Sequence, residues 1–255
     1  MADLSELSLL IIVMLLCVSV IAAYLDVLVG GGGLLTISAL LLAGVPTIDA
    51  LGTNKLQAAA GSGTATIKLL CGKYIRFKNI RYWMLASFLG ALLATILVQG
   101  INPNAFKYVI PFVIVCISFY FLLANRTVMK AKQRLSKRIY GVTIVPLIGF
   151  YDGFFGPATG SFFVMAAGGL LGTPIKKATM TAKALNFASN FGSLLVFAYF
   201  GKIYWAIGLL MLCGQVIGAY LGTQLLLTVN PQILRRCLVL MSLIILAAWL
   251  YKEMF

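Results

Sequence analysis

Long apolar runs separated by short polar loops fill almost the whole chain. A transmembrane helix needs about 20 apolar residues to cross the hydrocarbon core, and about ten segments approach that measure. They are residues 7–25, 29–44, 54–71, 82–99 and 105–124 in the first half, and 139–154, 158–172, 181–200, 204–226 and 233–251 in the second. Transmembrane β-strands would alternate apolar and polar residues, so the continuous runs predict an all-α integral membrane protein.

The second segment of each half is short. Each starts in a glycine cluster, at residues 30–33 and at Gly156 and Gly160, and each stops at a Gly-x-Pro tripeptide. Irregular backbone at membrane depth is tolerated only where it is buried in protein or faces a cavity. The pattern predicts short broken or re-entrant helices at 29–44 and 158–172, as an alternative to two full crossings.

The polar signals of the first half recur in the same order in the second, mostly about 128 residues later. Asp26 recurs as Asp152, and each precedes a glycine-rich stretch. The other pairs are Gly44-Val45-Pro46 with Gly172-Thr173-Pro174, Thr53-Asn54-Lys55 with Thr181-Ala182-Lys183, Gly72-Lys73 with Gly201-Lys202, and Asn102-Pro103 with Asn230-Pro231. We therefore predict two transmembrane repeats, residues 1–125 and 139–255, joined by a basic linker at 126–138.

Basic loop residues orient these repeats in the membrane. Clusters at 76–81, 126–138, 176–177 and 235–236 all fall on one side if ten segments cross, and positive loops mark the cytoplasmic side. Five crossings in each half turn the second repeat upside down, which is the inverted arrangement of many transporters. Both termini would then be periplasmic, in a bacterial cytoplasmic (inner) membrane. The linker is basic throughout, which suits the anionic inner leaflet.

Composition narrows the range of functions. The chain is 62% hydrophobic and 10% charged, and its net charge of +14 comes from loop residues, so we expect no nucleic acid partner. It has no histidine, and its five cysteines form no CxxC pair, so no metal site or disulfide framework is indicated. Gly30–Gly33 lacks the Gly-Lys-Ser/Thr of a P-loop. Without a nucleophile–base or paired-carboxylate arrangement, we expect neither enzymatic activity nor a cofactor.

Two lysines are the strongest candidates for binding a small anion. Lys55 and Lys183 each open an apolar segment within Thr-x-Lys, and each follows a Gly-x-Pro. If they open helices, the free N–H groups of those helix N-termini would add to the site. Thr53, Asn54 and Thr181 would contribute further donors. The alternative is that both lysines anchor helix ends among lipid headgroups.

The residues that follow are also polar for membrane segments. Gln57 lies in the first repeat, and Asn186 and Asn190 share one helix face in the second because they are four residues apart. These side chains either line a cavity or make interhelical hydrogen bonds. Asp26 and Asp152 are candidates for coupling transport to protons or sodium, by exchanging a proton or by pairing with a lysine. The alternative is that they cap the short helices that follow.

Small residues repeat at every fourth position in two symmetric segments. They are Ala86, Gly90 and Ala94 in the first repeat, and Gly214, Gly218 and Gly222 in the second. Such faces let helix backbones approach closely. They predict packing of one repeat against the other, or a homodimer contact.

These signals together resemble the sulfite exporter TauE/SafE family, a group of bacterial and plant membrane transporters related to toluene-sulfonate uptake permeases. Its most specific element here is Gly52-Thr53-Asn54-Lys55, supported by the repeated Gly-x-Pro, Gly-Lys and Asn-Pro. The resemblance implies transport of sulfur-containing anions such as sulfite, sulfoacetate, sulfonates or thiosulfate. It also implies about eight spans, which agrees with ten segments if some are re-entrant. Ala182 and Pro157 depart from the pattern, so we expect two unequal half-sites.

The sequence therefore predicts a secondary transporter, in the first place an exporter, of small sulfur-containing anions. Lys55, Lys183, Thr53, Asn54, Gln57, Thr181, Asn186 and Asn190 are the predicted substrate-binding residues. The alternatives are a passive anion channel, a permease that imports a sulfonate, thiosulfate or an unrelated organic anion, and a membrane-embedded scaffold subunit.

Overall fold

The computed structural model describes residues 9–101 and 133–230, and no β-strand occurs within these ranges. The first range holds four helices. They are α1 (Leu9–Val29), α2 (Gly32–Leu42), α3 (Thr47–Cys71) and α4 (Phe77–Gln99). The predicted segment 105–124, the Asn102-Pro103 pair and linker residues 126–132 lie outside the described residues.

The second range repeats this order of helices. A short turn at Lys137–Ile139 and a π-helical turn at Tyr140–Ile144 lead into α5 (Val145–Phe154). The remaining helices are α6 (Thr159–Leu171), α7 (Ile175–Tyr199) and α8 (Trp205–Thr228). The predicted segment 233–251 and Pro231 lie outside the described residues, so the two repeats as domains and their inverted orientation stay predictions.

Three of the described helices are long and apolar enough to cross a membrane: α1, α4 and α8. The chain is therefore a helical membrane protein, as the sequence predicts. α2 has 11 residues and α6 has 13. At about 1.5 Å per residue they measure roughly 17 and 20 Å, which is short of the roughly 30 Å hydrocarbon core. Short helices thus occupy the two predicted positions, 29–44 and 158–172.

Glycine and proline set the boundaries between the short and long helices. Gly44 and Gly172 have positive φ angles of 82° and 63° at the ends of α2 and α6, a conformation that suits glycine after a helix. Pro46 and Pro174 then precede the first residues of α3 and α7, where a missing N–H costs nothing. The predicted starts at 54 and 181 are therefore wrong, because both helices begin about two turns earlier.

The small-residue faces join the two halves of the chain. Gly214, Gly218 and Gly222 on α8 lie against the backbone of α1, and Gly90 on α4 lies against the backbone of α5. A Cβ added to Gly222 would lie 2.8 Å from the main-chain oxygen of Tyr24. These faces thus pack one half on the other, which was one of the two predicted uses. The homodimer stays a prediction.

The two polar helices, α3 and α7, form the centre of the described structure. They pack against each other, α3 also packs on α8, and α7 also packs on α4. The contact of α3 with α8 therefore has a counterpart, that of α7 with α4, in which the halves are exchanged. The buried polar side chains of α3 and α7 face this centre rather than lipid. This arrangement brings Lys55 and Lys183 next to the breaks that follow α1 and α5.

Candidate functional site

The site lies where two helix breaks cross. Gly30 follows α1 with φ 79°, and Gly156 follows α5 with φ 90°. A Cβ added to Gly30 would lie 2.6 Å from the main-chain carbon of Gly160, so the two backbones are in direct contact. The hydroxyl of Ser161 also donates a hydrogen bond to the carbonyl of Val29. The first turn of α6 is thereby held against the end of α1.

Lys55 on α3 forms a buried ion pair with Asp152 on α5. Its Nζ lies 2.8 Å from Oδ1 of Asp152, and the two side chains are only 2% and 1% exposed. Nζ also donates to the main-chain carbonyl of Asp152, which belongs to the last turn of α5. The hydroxyl of Thr159 donates to the same carboxylate at 2.9 Å.

Lys183 on α7 makes the equivalent pair with Asp26 on α1. Its Nζ lies 3.0 Å from Oδ2 of Asp26 and also donates to the carbonyl of Asp26 in the last turn of α1. The amide N–H of Gly32, the first residue of α2, donates to Oδ1 of Asp26 at 3.2 Å. Each lysine thus places its charge at the negative end of a helix from the other half, which is a favourable position for a cation. Asp26 both pairs with a lysine and caps α2.

A small cavity of about 20 Å³ lies between the two breaks. That volume suffices for about one water molecule, so a polyatomic anion enters only after the helices move apart. The lining residues come from six helices and the two breaks: Asp26, Gly30, Gly32, Gly33, Thr36, Asn54, Ala58, Gly156, Ala158, Thr159, Gly160, Asn186, Asn190 and Gln215.

The N-termini of α2 and α6 both reach this cavity. Gly32 and Gly33 belong to the first turn of α2, and Thr159 and Gly160 to the first turn of α6. The first N–H groups of a helix have no acceptor within it and carry the positive end of its dipole. Two such ends converging on one space favour an anionic ligand, and discontinuous helices in transporters bind anions in this way.

Asn54 on α3 is oriented toward the cavity by a neighbour. The Thr36 hydroxyl lies 2.6 Å from Oδ1 of Asn54, a distance typical of an O–H···O bond and short for N–H···O. The amide Nδ2 therefore lies on the side of Gly33. Asn54 is 3% exposed, and it belongs to the lining of the cavity. This buried donor is aimed into the cavity.

Three more amide side chains line the cavity, those of Asn186, Asn190 and Gln215. Asn190 donates to the main-chain carbonyl of Asn186 at 2.8 Å, and Nδ2 of Asn186 lies 3.4 Å from Oδ2 of Asp152. Gln215 on α8 approaches Gln57, with Nε2 and Oε1 3.5 Å apart. Within the described ranges, no group of three or more His, Cys, Asp and Glu side chains is placed to hold a metal ion. The lining of the cavity is thus polar, and Asp26 is the charged residue in it.

The family model described as sulfite exporter TauE/SafE matches residues 15–249 of this sequence. The chain belongs to that family. A probable membrane transporter protein of Haemophilus influenzae is 40% identical over 244 residues, which is 95% of this chain and 96% of that protein. The probable membrane transporter protein YfcA of Escherichia coli is 40% identical over 240 residues, covering 92% and 88% of the two chains. No solved structure is a significant match.

A third relative agrees with these two. The probable membrane transporter protein ORF9 of a Sinorhizobium species is 40% identical over 224 residues, covering 88% of this chain and 86% of its own. The family predicted from Gly52-Thr53-Asn54-Lys55 and its repeated companions is thus confirmed. The predicted site residues of this TauE/SafE protein all lie on its described helices.

The structure brings some of the predicted site residues of the TauE/SafE chain together and leaves others apart. Asp26, Asn54, Asn186 and Asn190 line the cavity, and Lys55, Lys183 and Asp152 lie next to it. Three further predicted residues neither line the cavity nor belong to the two ion pairs. They are Thr53, whose hydroxyl accepts from the Tyr204 amide, Gln57, whose Oε1 faces Gln215, and Thr181. Their role in binding stays a prediction.

One part of the predicted geometry is wrong. Lys55 and Lys183 do not open their helices, because α3 begins at Thr47 and α7 at Ile175. Both lysines are buried well inside those helices, so they do not anchor helix ends among headgroups either. The helix N-termini that reach the site belong to α2 and α6 instead.

Sequence reasoning missed three lining residues with polar side chains, Thr36, Thr159 and Gln215. Each is a polar residue in a mostly apolar helix, and Gln215 is flanked by the glycine face of α8. A single polar residue inside an apolar segment costs free energy unless it has a partner. That rule would have selected all three residues for inspection.

Proposed function

We propose that this TauE/SafE chain is a secondary transporter of small sulfur-containing anions, and that it binds them at the crossing of the two helix breaks. The observation that carries the proposal is the convergence of the N-termini of α2 and α6 on one cavity, with the buried amide of Asn54 aimed into it. All three features present hydrogen-bond donors to the same space.

Anion binding follows from the chemistry of these donors. A sulfur oxyanion or sulfonate offers only acceptor oxygens, so it complements the positive ends of two helices and an amide N–H. The lysine charges support such a ligand less directly, because Asp26 and Asp152 already neutralise them. Lys183 becomes available to the ligand only when its pair with Asp26 opens.

The small volume of the cavity supports a carrier rather than a channel. A conducting channel needs a continuous water-filled path, whereas this space holds about one water molecule. Contacts between the halves occur in matching pairs. This symmetry also suits a fixed central site with access from alternating sides, as in transporters built from inverted repeats. We place the protein in a bacterial cytoplasmic membrane, with its basic loops inside and both termini outside.

The sulfur chemistry of the substrate rests on the family, and the direction rests on charge. An anion that moves alone gains roughly 2.3 kcal/mol per 100 mV for each negative charge it carries when it leaves a cell with a negative interior. This favours export of sulfite, sulfoacetate or a related organosulfonate when no other ion is carried.

Flux measurements in proteoliposomes test the proposal. The purified protein is reconstituted, and uptake of sulfite, sulfoacetate, methanesulfonate, thiosulfate and sulfate is measured in turn. We expect saturable flux of at least one sulfur anion, and loss of that flux in Lys183→Gln, because Asp26 then remains an uncompensated charge at the cavity. Lys177→Gln, an exposed lysine in the first turn of the same helix, is the matched control and should keep its flux. Absence of flux for every anion, from protein shown to be folded, would contradict the proposal.

A further inference from the structure

The two ion pairs of the site are chemically alike but unequally accessible. The side chain of Asp152 is 1% exposed, and that of Asp26 is 23% exposed. Asp26 lines the cavity, whereas Asp152 lies outside its lining. Water that enters the cavity therefore reaches the carboxylate of Asp26 and not that of Asp152.

The partners of the two carboxylates differ as well. Asp152 accepts from Lys55 and from the hydroxyl of Thr159, and the amide of Asn186 faces its second oxygen. Asp26 accepts from Lys183 and from one backbone N–H, that of Gly32, at 3.2 Å. The Lys183–Asp26 pair thus loses fewer hydrogen bonds when it opens.

Few other charges face Asp26 from the helices packed around it. α7 contributes Lys183, and the Lys55–Asp152 pair belongs to the equivalent position of the other half. The described helices α2, α6 and α8 carry no Lys, Arg, Asp or Glu, and they contribute uncharged lining residues such as Gln215. Among the described residues, the charges near Asp26 are therefore those of Lys183 and of the neighbouring Lys55–Asp152 pair, together with the ligand.

Charge balance then limits what the site can hold. The two lysines and two aspartates sum to zero, so an added monoanion leaves one uncompensated negative charge in a cavity that has room for about one water molecule. An uncompensated buried ion costs several kcal/mol. One proton on Asp26 removes that excess and frees Lys183 for the anion.

We propose that the site takes a monoanion together with one proton, and that Asp26 receives this proton as its carboxylate releases Lys183. The step moves one proton from water onto a carboxylate oxygen of Asp26, and the ammonium of Lys183 then pairs with the anion. A dianion would need a second proton on Asp152, which is closed to water. The inference rests on the proposed function and names its substrate charge, a singly charged sulfonate or hydrogen sulfite, and its coupling ion.

Monoanion and proton together carry no net charge. The membrane potential therefore does no work on the transported pair. The gradients of the anion and of protons set the direction of transport and the final accumulation of the anion. For one proton per anion, each pH unit across the membrane changes the equilibrium accumulation about tenfold, since one unit corresponds to 1.36 kcal/mol.

The test uses proteoliposomes with methanesulfonate, which keeps a single negative charge at any working pH, alongside sulfite and sulfate. An imposed pH gradient of one unit should raise accumulation of the monoanion about tenfold, and an imposed potential without a pH gradient should leave it unchanged. Sulfate, which remains a dianion, should accumulate little. Flux that responds to potential but not to the pH gradient would overturn the coupling while leaving the transporter intact. Absence of all flux would instead count against the proposed function.

Asp26→Asn tests whether Asp26 carries the proton that accompanies the anion. With no carboxylate beside Lys183, accumulation in the folded variant should no longer follow the pH gradient. Saturating methanesulfonate should restore the thermal stability lost with the Lys183–Asp26 pair, because the anion then takes the place of the carboxylate. Asp49→Asn, which changes an acid in the first turn of α3 away from the cavity, is the matched control and should keep the tenfold response. Accumulation that still follows the pH gradient in Asp26→Asn would show that another group carries the proton.

Discussion

Lys55 and Asp152 come from different halves of the chain and form an ion pair that is closed to solvent, with Nζ 2.8 Å from Oδ1. Lys183 and Asp26 form its counterpart with the halves exchanged. Each half therefore supplies the charge that neutralises the other. Opening one pair without replacing its charge leaves an ion buried in protein, so the pairs couple the positions of α1 and α5 to those of α7 and α3.

Removal of one partner of the Lys55–Asp152 pair should destabilise the protein strongly. Lys55→Gln leaves Asp152 buried and unpaired, and Asp152→Asn does the same to Lys55; such changes cost about 3–5 kcal/mol. The double variant Lys55→Gln/Asp152→Asn removes both charges and should recover most of the loss. Thermal unfolding of the four proteins in detergent measures this double-mutant cycle.

The control for this cycle is Lys78→Gln, which removes an exposed lysine from the first turn of α4. It should unfold at the wild-type temperature, because exposed charges contribute little to stability. Additive losses in the double variant would contradict the conclusion that the two buried charges stabilise one another.

The repeat pattern in the sequence identified the four charged residues of the site, whereas hydropathy gave the wrong starts for two helices. Asp26, Asp152, Lys55 and Lys183 stand out because each recurs at an equivalent position in a chain with few acids. The starts of α3 and α7 were wrong because the apolar measure rejected the polar first turns that follow Pro46 and Pro174. In these helices the proline marks the start better than hydropathy does.

The assignment of each lysine to the aspartate of the other half could not be predicted. Lys55 and Asp152 are far apart in sequence, and no local signal fixes how α3 lies against α5. Gln215 and Thr36 stand out as polar residues in mostly apolar helices, but the sequence does not show which neighbours they meet. The spacing of small residues, in contrast, predicted that α8 carries a packing face, with packing between the repeats as one of two uses, but it did not identify α1 as the partner.

Gly33→Ala should abolish anion binding without unfolding the protein. A Cβ added to Gly33 would lie 3.7 Å from Nδ2 of Asn54, which is ordinary contact, so the fold accepts the methyl group. The cavity measures only about 20 Å³, and the methyl group occupies space beside the donor of Asn54. We expect an unchanged unfolding temperature and loss of sulfur-anion flux.

Gly169→Ala is the matched control for that variant. Gly169 lies in α6, and an added Cβ would meet nothing within 4 Å. Flux in Gly169→Ala should remain at the wild-type level. Wild-type flux in Gly33→Ala would place the anion elsewhere in the protein.

Loss of the Asn54 amide should weaken anion binding by a predictable amount. A hydrogen bond to a charged group contributes about 1.5–3 kcal/mol, so Asn54→Leu should raise the dissociation constant roughly 10- to 150-fold. Asn54→Asp keeps the shape and places a negative charge at the site, and it should weaken binding further. Protection against thermal unfolding by increasing anion concentration measures both effects.

Thr36→Val tests whether the hydroxyl of Thr36 orients the amide of Asn54 toward the cavity. Valine preserves the shape of threonine but cannot hold Oδ1 of Asn54, so the amide is free to rotate. We expect an intermediate loss of affinity, smaller than in Asn54→Leu. Equal affinity in Thr36→Val and wild type would show that Thr36 does not position the donor.

The backbone contact at the crossing of the two breaks should tolerate no side chain. Gly30→Ala requires alanine to adopt φ 79°, and its Cβ would lie 2.6 Å from the main-chain carbon of Gly160. The left-handed conformation alone costs about 1–2 kcal/mol, and the overlap forces α6 away from α1. Gly44→Ala separates these two costs, because Gly44 has a similar φ of 82° with nothing within 4 Å of an added Cβ. Gly44→Ala should therefore show only the smaller conformational loss in thermal unfolding and keep its flux, whereas Gly30→Ala should lose both folded yield and flux. Similar behaviour of the two variants would mean that the close approach of Gly30 and Gly160 does not hold the site together.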